Sequence, residues 1–424
     1  MRIAIVGAGI GGLSAAAGLQ RAGARVTVFE RSAEVRAGGS GLSVFANGLR
    51  ALESLGLGPQ FAVITDKQIE SFAAGQRRPD GRWIAQIPSD SVGQLRIVDR
   101  ADLHRVLLDA LDEGTVRTNA LVTSVSIDGT VTIESGAEAD LLEGFDLVIG
   151  ADGLNSQVRE TVEPGIGPRY SGYSCWRGIT ERPVDLHSAA GESVGRGLRF
   201  GIAPLMDKRV YWFAVANMPQ HASFADEYAT VRDLFSGWHA PIAELIAATP
   251  TERIRRTAIS DLATPLSTYH RGRIVLLGDA AHAMTPNLGQ GGGQALEDAA
   301  TLTALLAPVI ASSTDSAAAL DAALRRYDRL RRKRSQSIAA KSRLLGAVFQ
   351  MRSPLLAGLR DAIFAAVPPR LTAAQAASVQ RWDPHRRSDP QASGSSAKGL
   401  SPRVPGCTRR RPEAGNIPGA QQSP

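Results

Sequence analysis

A chain of 424 residues, 43% hydrophobic and 21% charged, is long enough for two domains with a sizeable core and has the balance of a globular protein. No window offers about 20 uninterrupted apolar residues, which argues against a membrane span. Cys175 and Cys407 make no metal-ligand spacing, so no metal is expected and a reducing, cytoplasmic setting is. The net charge of +7 is uneven: residues 383–424 hold seven Lys/Arg against three acids and are rich in Pro, Ser and Gly. That composition predicts a disordered basic tail, read as a solvated segment in preference to a nucleic-acid or membrane contact.

In chain order, residues 2–6 form a short apolar run that reads as a buried parallel strand. An Ala/Leu-rich helix over 13–22 closes at Gly23, and a second strand over 25–29 ends at Glu30, completing a βαβ unit. A helix over 47–55 ends at Gly56. Residues 69–95 are polar with scattered apolar positions and predict strands of a different sheet. A helix over 100–111 carries Leu103, Leu107 and Leu111 on one face. Asp128-Gly129 inside the alternating stretch 122–133 predicts a hairpin. A strand over 145–149 then runs into Gly150-Ala151-Asp152-Gly153.

From about 168 to 262 the pattern changes. Antiparallel strands are expected over 198–203 and 210–216, and one helical stretch over 228–248. The buried-strand pattern returns at 273–277 and ends at Gly278-Asp279, followed by helices over 294–306, 317–346 and 355–366. The reading is an α/β fold whose Rossmann-like nucleotide domain is split into 1–70, 96–167 and 263–345. An antiparallel-sheet substrate domain (71–95 and 168–262) is inserted, with C-terminal helices over 346–382 and the tail beyond. No internal repeat is visible.

Gly7, Gly9 and Gly12 fit G-x-G-x-x-G, with Gly11 inside the motif. Gly7 permits the turn, Gly9 lets backbone approach a pyrophosphate, and Gly12 lets helix and strand pack closely. The helix N-terminus offers free N–H groups to that anion. Glu30 suits the adenosine ribose hydroxyls and repels a 2′-phosphate, an objection that adjacent Arg31 only partly weakens. This motif alone does not separate NAD from FAD. The second site does: Asp279 stands at the carboxyl edge of the sheet, where it suits a ribityl chain. Pro286 and the glycines Gly289, Gly291 and Gly292 open the next helix with backbone bare enough to lie against a flat ring.

With Gly7–Gly12 and Glu30, the Asp-Gly segment 146–159 and the segment 278–286 in this order, the chain resembles the FAD-dependent aromatic-ring monooxygenases of the para-hydroxybenzoate hydroxylase fold. Within that group it is most similar to the salicylate, 3-hydroxybenzoate and urate hydroxylases, a likeness also carried by the spacing of Tyr170, Tyr173, Trp176 and Arg177. The resemblance implies that Arg100 binds the FAD chain, that Asp279 binds ribityl oxygens, and that Pro286 lies near the isoalloxazine. Asp152, Gly153 and Arg159 match a motif linked to FAD and NAD(P)H; Asp152 holding the backbone is the equal alternative. Ala46 stands where relatives often have Pro. His282 reads as packing beside the flavin.

The implied cycle has NAD(P)H reduce FAD, O2 add to give a C4a-hydroperoxide, and the distal oxygen pass to a small aromatic or heteroaromatic ring. Arg199, Tyr211 and Phe213 share strand parity if the two strands pair through the loop 204–208, and can then point at one pocket face. The resemblance to urate hydroxylases implies that Arg199 and Tyr211 orient the ring. A surface Arg and a core Tyr is the competing reading. Monomer and homodimer both stay open. So does another flavoenzyme on this fold (epoxidase, halogenase or reductase) or a flavin-bound redox or interaction protein, although no Trp-x-Trp-x-Ile-Pro stretch of the halogenase kind is present.

Overall fold

The computed structural model describes residues 1–35, 40–87, 94–135, 138–312 and 317–383. The expected tail therefore lies outside the described residues, apart from Asp383.

The strands expected near residues 2, 25, 145 and 273 join in one sheet. Its order is His270–Arg271, Ile274–Leu276, Leu147–Gly150, Arg2–Val6, Arg25–Phe29, Val116–Arg117, parallel except for the first pair. These strands are nearly continuous apolar runs because both faces are covered, so alternation is absent. Ile3, Ile5, Val28, Leu147 and Val275 are all buried. The helix Ile10–Arg21 packs against Gly291–Ala311 so closely that a Cβ on Gly18 would overlap Thr303. The first helix begins at Ile10, three residues ahead of the expected 13, so Gly11 and Gly12 form its first turn.

The second sheet has seven strands, in the order Arg255–Leu262, Pro168–Ile179, Val210–Asn217, Leu198–Pro204, Gly191–Val194, Ala74–Arg77, Trp83–Ile87. The strands expected in 69–95 thus join a different sheet from the nucleotide strands. On the back of the sheet Trp176, Phe200 and Trp212 pack against Val231, Phe235, Ile242 and Leu245, with Phe200 and Trp212 stacked at 5.4 Å. Here one expectation fails. Residues 228–248 form two helices, Glu227–Leu234 and Ile242–Ala247. Gly237 and Pro241 interrupt the run, and the turn between them folds Trp238 onto Phe235, with ring centroids at 4.8 Å.

The hairpin at Asp128-Gly129 forms, with Gly129 at φ +95°, between Leu121–Val125 and Val131–Ser135. A two-stranded ribbon, Gly41–Phe45 with Leu95–Asp99, was not anticipated. The last helices run longer than the pattern suggested: Ala317–Phe349 spans 33 residues, Pro354–Ala366 follows, and Pro368-Pro369 starts a further helix, Pro369–Gln380.

Candidate active site

Four glycines line the N-terminal turn, but they do different things. Gly7 sits at φ +103°, and a Cβ there would lie 2.5 Å from the Ala151 carbonyl oxygen, so only glycine lets two neighbouring strand ends approach. A Cβ on Gly12 would overlap the Gly7 carbonyl, and one on Gly11 would meet Leu277 and Ala295. Both are packing positions. Gly9 alone faces open space, with nothing within 4 Å of the point a Cβ would occupy. The first amide beyond it with a backbone acceptor is Leu13, bonded to Gly9 O at 3.0 Å, which leaves the preceding helix amides available.

Glu30 ends its strand as expected, and its carboxylate accepts the amide of Ala8 at 3.0 Å and of Ser32 at 2.9 Å. Burial raises its pKa, but these two hydrogen bonds outweigh burial and hold it below the ordinary carboxylate range. It therefore braces the glycine turn and still has lone pairs to offer a ribose. Arg31 beside it is exposed. His104, which carries no motif signal in the sequence, donates Nε2–H to the Ala8 carbonyl at 2.7 Å from a buried position. Burial pushes its pKa down, in keeping with a neutral ring.

Asp152 and Asp279 follow adjacent, paired strands. Asp152 spends both oxygens on the helix Gln157–Val162: it accepts from Ser156 Oγ at 2.5 Å, Gln157 N at 2.7 Å and Val158 N at 3.2 Å. Arg159 is buried and donates to Leu154 O, Ile166 O and Ala280 O, tying the two strand ends together. Asp279 is exposed and makes no hydrogen bond among the described residues. The protein walls around it push its carboxyl above the ordinary range, opposed by the charges of His282 and Arg100. Arg100 is itself exposed, on the helix Arg100–Asp109.

Behind Asp279 lies a buried network. Asp298 accepts from the Gly278 amide at 2.9 Å, pairs with His282 Nε2 at 2.5 Å and accepts from Arg331 Nε at 2.6 Å. Burial raises the Asp298 pKa, but His282 and Arg331 reverse that and hold it at about 2. Glu297 takes Arg331, Arg334 at 2.6 Å and Asn47 at 2.7 Å. These partners span the fold, and no short motif marks them. His282 is itself buried in this network.

On the ring side, Pro286–Leu288 is a single turn ending at Gly289, φ +62°, and the helix Gly291–Ala311 starts after it. Gly291 faces open space, while Gly289 and Gly292 pack against Phe45 and Leu42 of the ribbon. Asn287 Oδ1 accepts from Arg199 Nη2 at 2.8 Å, and its Nδ2 donates to the Tyr173 hydroxyl at 3.0 Å. Arg199 also lies 3.3 Å from Glu192. Its guanidinium stands over the rings of Tyr173 and Phe349, at 5.9 and 5.5 Å from their centroids. It is only 2% exposed, so it is no surface arginine. Arg199 Nε and Glu192 Oε1 lack hydrogen-bond partners, polar capacity that a ligand can complete.

The register Arg199↔Val215, Gly201↔Phe213, Ala203↔Tyr211 puts Arg199, Phe213 and Tyr211 on one face. Arg199 and Tyr211 bracket Phe213 along about 13 Å of strand. Burial pushes the Tyr211 phenol above its ordinary range, with Arg177 opposing, so it stays protonated near neutrality. Its ring packs directly against Gly41.

These positions fit FAD. Gly9, Gly153 and Gly291 leave open space, the helix amides are free, and Asp279 is an unpaired carboxylate. Among the described residues no group of three or more His, Cys, Asp or Glu is placed to hold a metal ion.

A parallel sheet with two such loops, together with a second, seven-stranded sheet, is the architecture the resemblance implied for an FAD-binding protein. The chain belongs to the family described as FAD binding domain, which matches residues 1–342. It is 35% identical over 367 residues to the aurachin C monooxygenase/isomerase of Stigmatella aurantiaca, covering 85% of this chain and 93% of that one. It is 33% identical over 383 residues to the 2-heptyl-3-hydroxy-4(1H)-quinolone synthase of Pseudomonas aeruginosa, covering 87% and 94%. The crystal structure of Klebsiella pneumoniae HpxO complexed with FAD and uric acid superposes with a TM-score of 0.75 at 28% identity, covering 90% of this chain and 96% of that one. The protein is thus an enzyme of the FAD-dependent monooxygenase group, as the resemblance implied.

Proposed function

We propose that this enzyme uses NAD(P)H and O2 to hydroxylate a small aromatic or heteroaromatic ring. Bound FAD, once reduced by NAD(P)H, supplies the activation of O2: one oxygen atom goes to the ring and the other leaves as water. Residues 1–70, 96–167 and 263–345 hold the cofactor, and 71–95 with 168–262 supply the substrate wall. Gly9 and the helix amides beyond it receive the pyrophosphate, and Glu30 the ribose, with Arg31 at its rim. Arg100 meets the chain of the cofactor, and Asp279 accepts from the ribityl hydroxyls. Pro286, Gly289, Gly291 and Gly292 lie along the flavin ring. Gly7, Gly11, Gly12 and Asp152 hold the backbone that makes this cradle.

The observation that supports the reading is the Arg199–Asn287 hydrogen bond, which joins the substrate-side sheet to the turn of Pro286. Arg199 and Tyr211 orient the ring, with Phe213 as its floor. The ring is read as presenting a carbonyl or enol oxygen to Arg199, whose neighbour Glu192, 3.3 Å away, has its carboxyl pushed above the ordinary range by burial. The quinolone and uric acid named for the relatives have that chemistry.

The test is a purified holoenzyme assayed for NADH and NADPH oxidation with 4-quinolones, urate and salicylate, with product mass and hydrogen peroxide measured. Quinolone or urate is expected to stimulate oxidation and gain one oxygen atom, and salicylate to do neither. Oxidation indifferent to every ring, with no oxygenated product, overturns the proposal.

A further inference from the structure

The helix Pro354–Ala366 buries only Ala357 and Arg360. Leu355, Leu356, Leu359 and Ile363 stand 86%, 51%, 58% and 54% exposed. Leu355, Leu359 and Ile363 follow one another at four-residue spacing, so they form a stripe along one face. Leu371 on the next helix and Leu344 on the long helix before it are also exposed. Apolar side chains gathered this way mark an interaction surface. Residues 384–424 are poorly suited to cover it, since Leu400, Val404 and Ile417 are their only large apolar residues.

Along the chain on either side of the stripe the charge is one-sided. Lys341, Arg352, Arg370 and Arg381 are exposed on or beside the same three helices. Between residues 339 and 383 the acids are Asp361 and Asp383, and Asp361 is already held by Arg360 at 2.8 Å and Arg78 at 3.7 Å. The segment after that adds seven Lys/Arg against two acids. Leucines in a row with a cationic border suit a surface that is apolar inside and anionic at its rim.

We propose that this face docks in the plane of an anionic phospholipid bilayer, with the leucine stripe at the acyl boundary and the arginines among the headgroups. The inference goes beyond the hydroxylase reading and does not rest on it. It departs from the expectation of no membrane partner, yet requires no span: no helix among the described residues is long and apolar enough to cross a membrane. The stripe is anchored to the substrate side. Arg360 donates to Gly195 O at 3.1 Å. Phe364 packs on Phe349 at 5.4 Å, and Phe349 in turn covers Arg199. Docking therefore brings a bilayer, where apolar ring compounds concentrate, within two aromatic rings of the sheet face.

The test is flotation of the full-length holoenzyme with vesicles of phosphatidylcholine alone or with about one third phosphatidylglycerol. Binding to the anionic vesicles, weakened by salt, and little to the neutral ones is expected. The combined substitutions Leu355→Glu, Leu359→Glu and Ile363→Glu are expected to cut the partition coefficient at least about tenfold, with circular dichroism and flavin content unchanged. Failure to float with anionic vesicles at low salt overturns the proposal. So does binding that survives the triple substitution and is lost only on deleting residues 384–424. A dimer in light scattering that the triple substitution dissociates overturns it in favour of a second copy of this chain.

Discussion

Asp152 and Asp279 occupy equivalent places, just past the carboxyl ends of two adjacent parallel strands, and the fold uses them in opposite ways. Asp152 has a hydroxyl and two amides on its oxygens and serves the backbone. Asp279 has none and is exposed. The difference arises in the residues just C-terminal to each. Residues 153–156 loop back so that a helix presents its N-terminus to Asp152. After Gly278 the chain turns immediately into the short helix Asp279–His282, and Asp298 takes the Gly278 amide from behind. A carboxylate at the edge of such a sheet is free for a ligand only when something else satisfies the loop that carries it.

The largest expected effect strikes that hidden support. Asp298→Ala removes the carboxylate partner of His282 and leaves Arg331 with Glu297 and Gln294. It is expected to cost about 3 kcal/mol of stability, the low end for breaking a buried pair, read by chemical denaturation of the holoenzyme. If the loss is below about 1 kcal/mol, the support reading fails.

Next comes Asp279→Ala. It is expected to weaken FAD binding about ten- to a hundredfold, the scale of charge-assisted hydrogen bonds, with the melting temperature of the apoprotein unchanged. Unaltered FAD affinity would erase the contrast between the two aspartates.

The reverse pattern is expected of Asp152→Ala: a loss of about 1–2 kcal/mol in stability from the lost cap, with FAD affinity nearly kept. A large fall in affinity at constant stability would give Asp152 a ligand role after all.

The smallest effect is the acid limb of stability. The Asp298 pKa is depressed in the folded state, to about 2, so its contribution is complete above the unfolded carboxylate pKa near 4. That contribution is lost as pH falls through about 4 to 2. Denaturation at pH 7, 4 and 3 is expected to show a steeper decline for the native chain than for Asp298→Asn. Parallel declines would assign the acid sensitivity elsewhere.

Much of the fold was legible in the sequence because it is local. Gly7, Gly9, Gly12 and Glu30 lie within one βαβ unit, and strand ends announce themselves by apolar runs that stop at glycine or aspartate. The strand parity of Arg199, Phe213 and Tyr211 follows from a two-residue period. The break in 228–248 was missed because helical composition continues across Gly237 and Pro241, and tertiary packing of Trp238 decides the turn. The ribbon Gly41–Phe45 was missed because its partner strand begins some 50 residues later.

What the sequence determined by itself is the pair of glycine-bearing loops at the strand ends, since each needs only a strand end, glycines and the start of a helix. Only the tertiary structure decided which aspartate stays free and that Asn287 ties Arg199 and Tyr173 to the turn of Pro286. The last of these joins residues far apart in the chain, Arg199 and Asn287 at a separation of 88. Whether a buried charge is satisfied is a property of the packed interior, which no short stretch of chain contains.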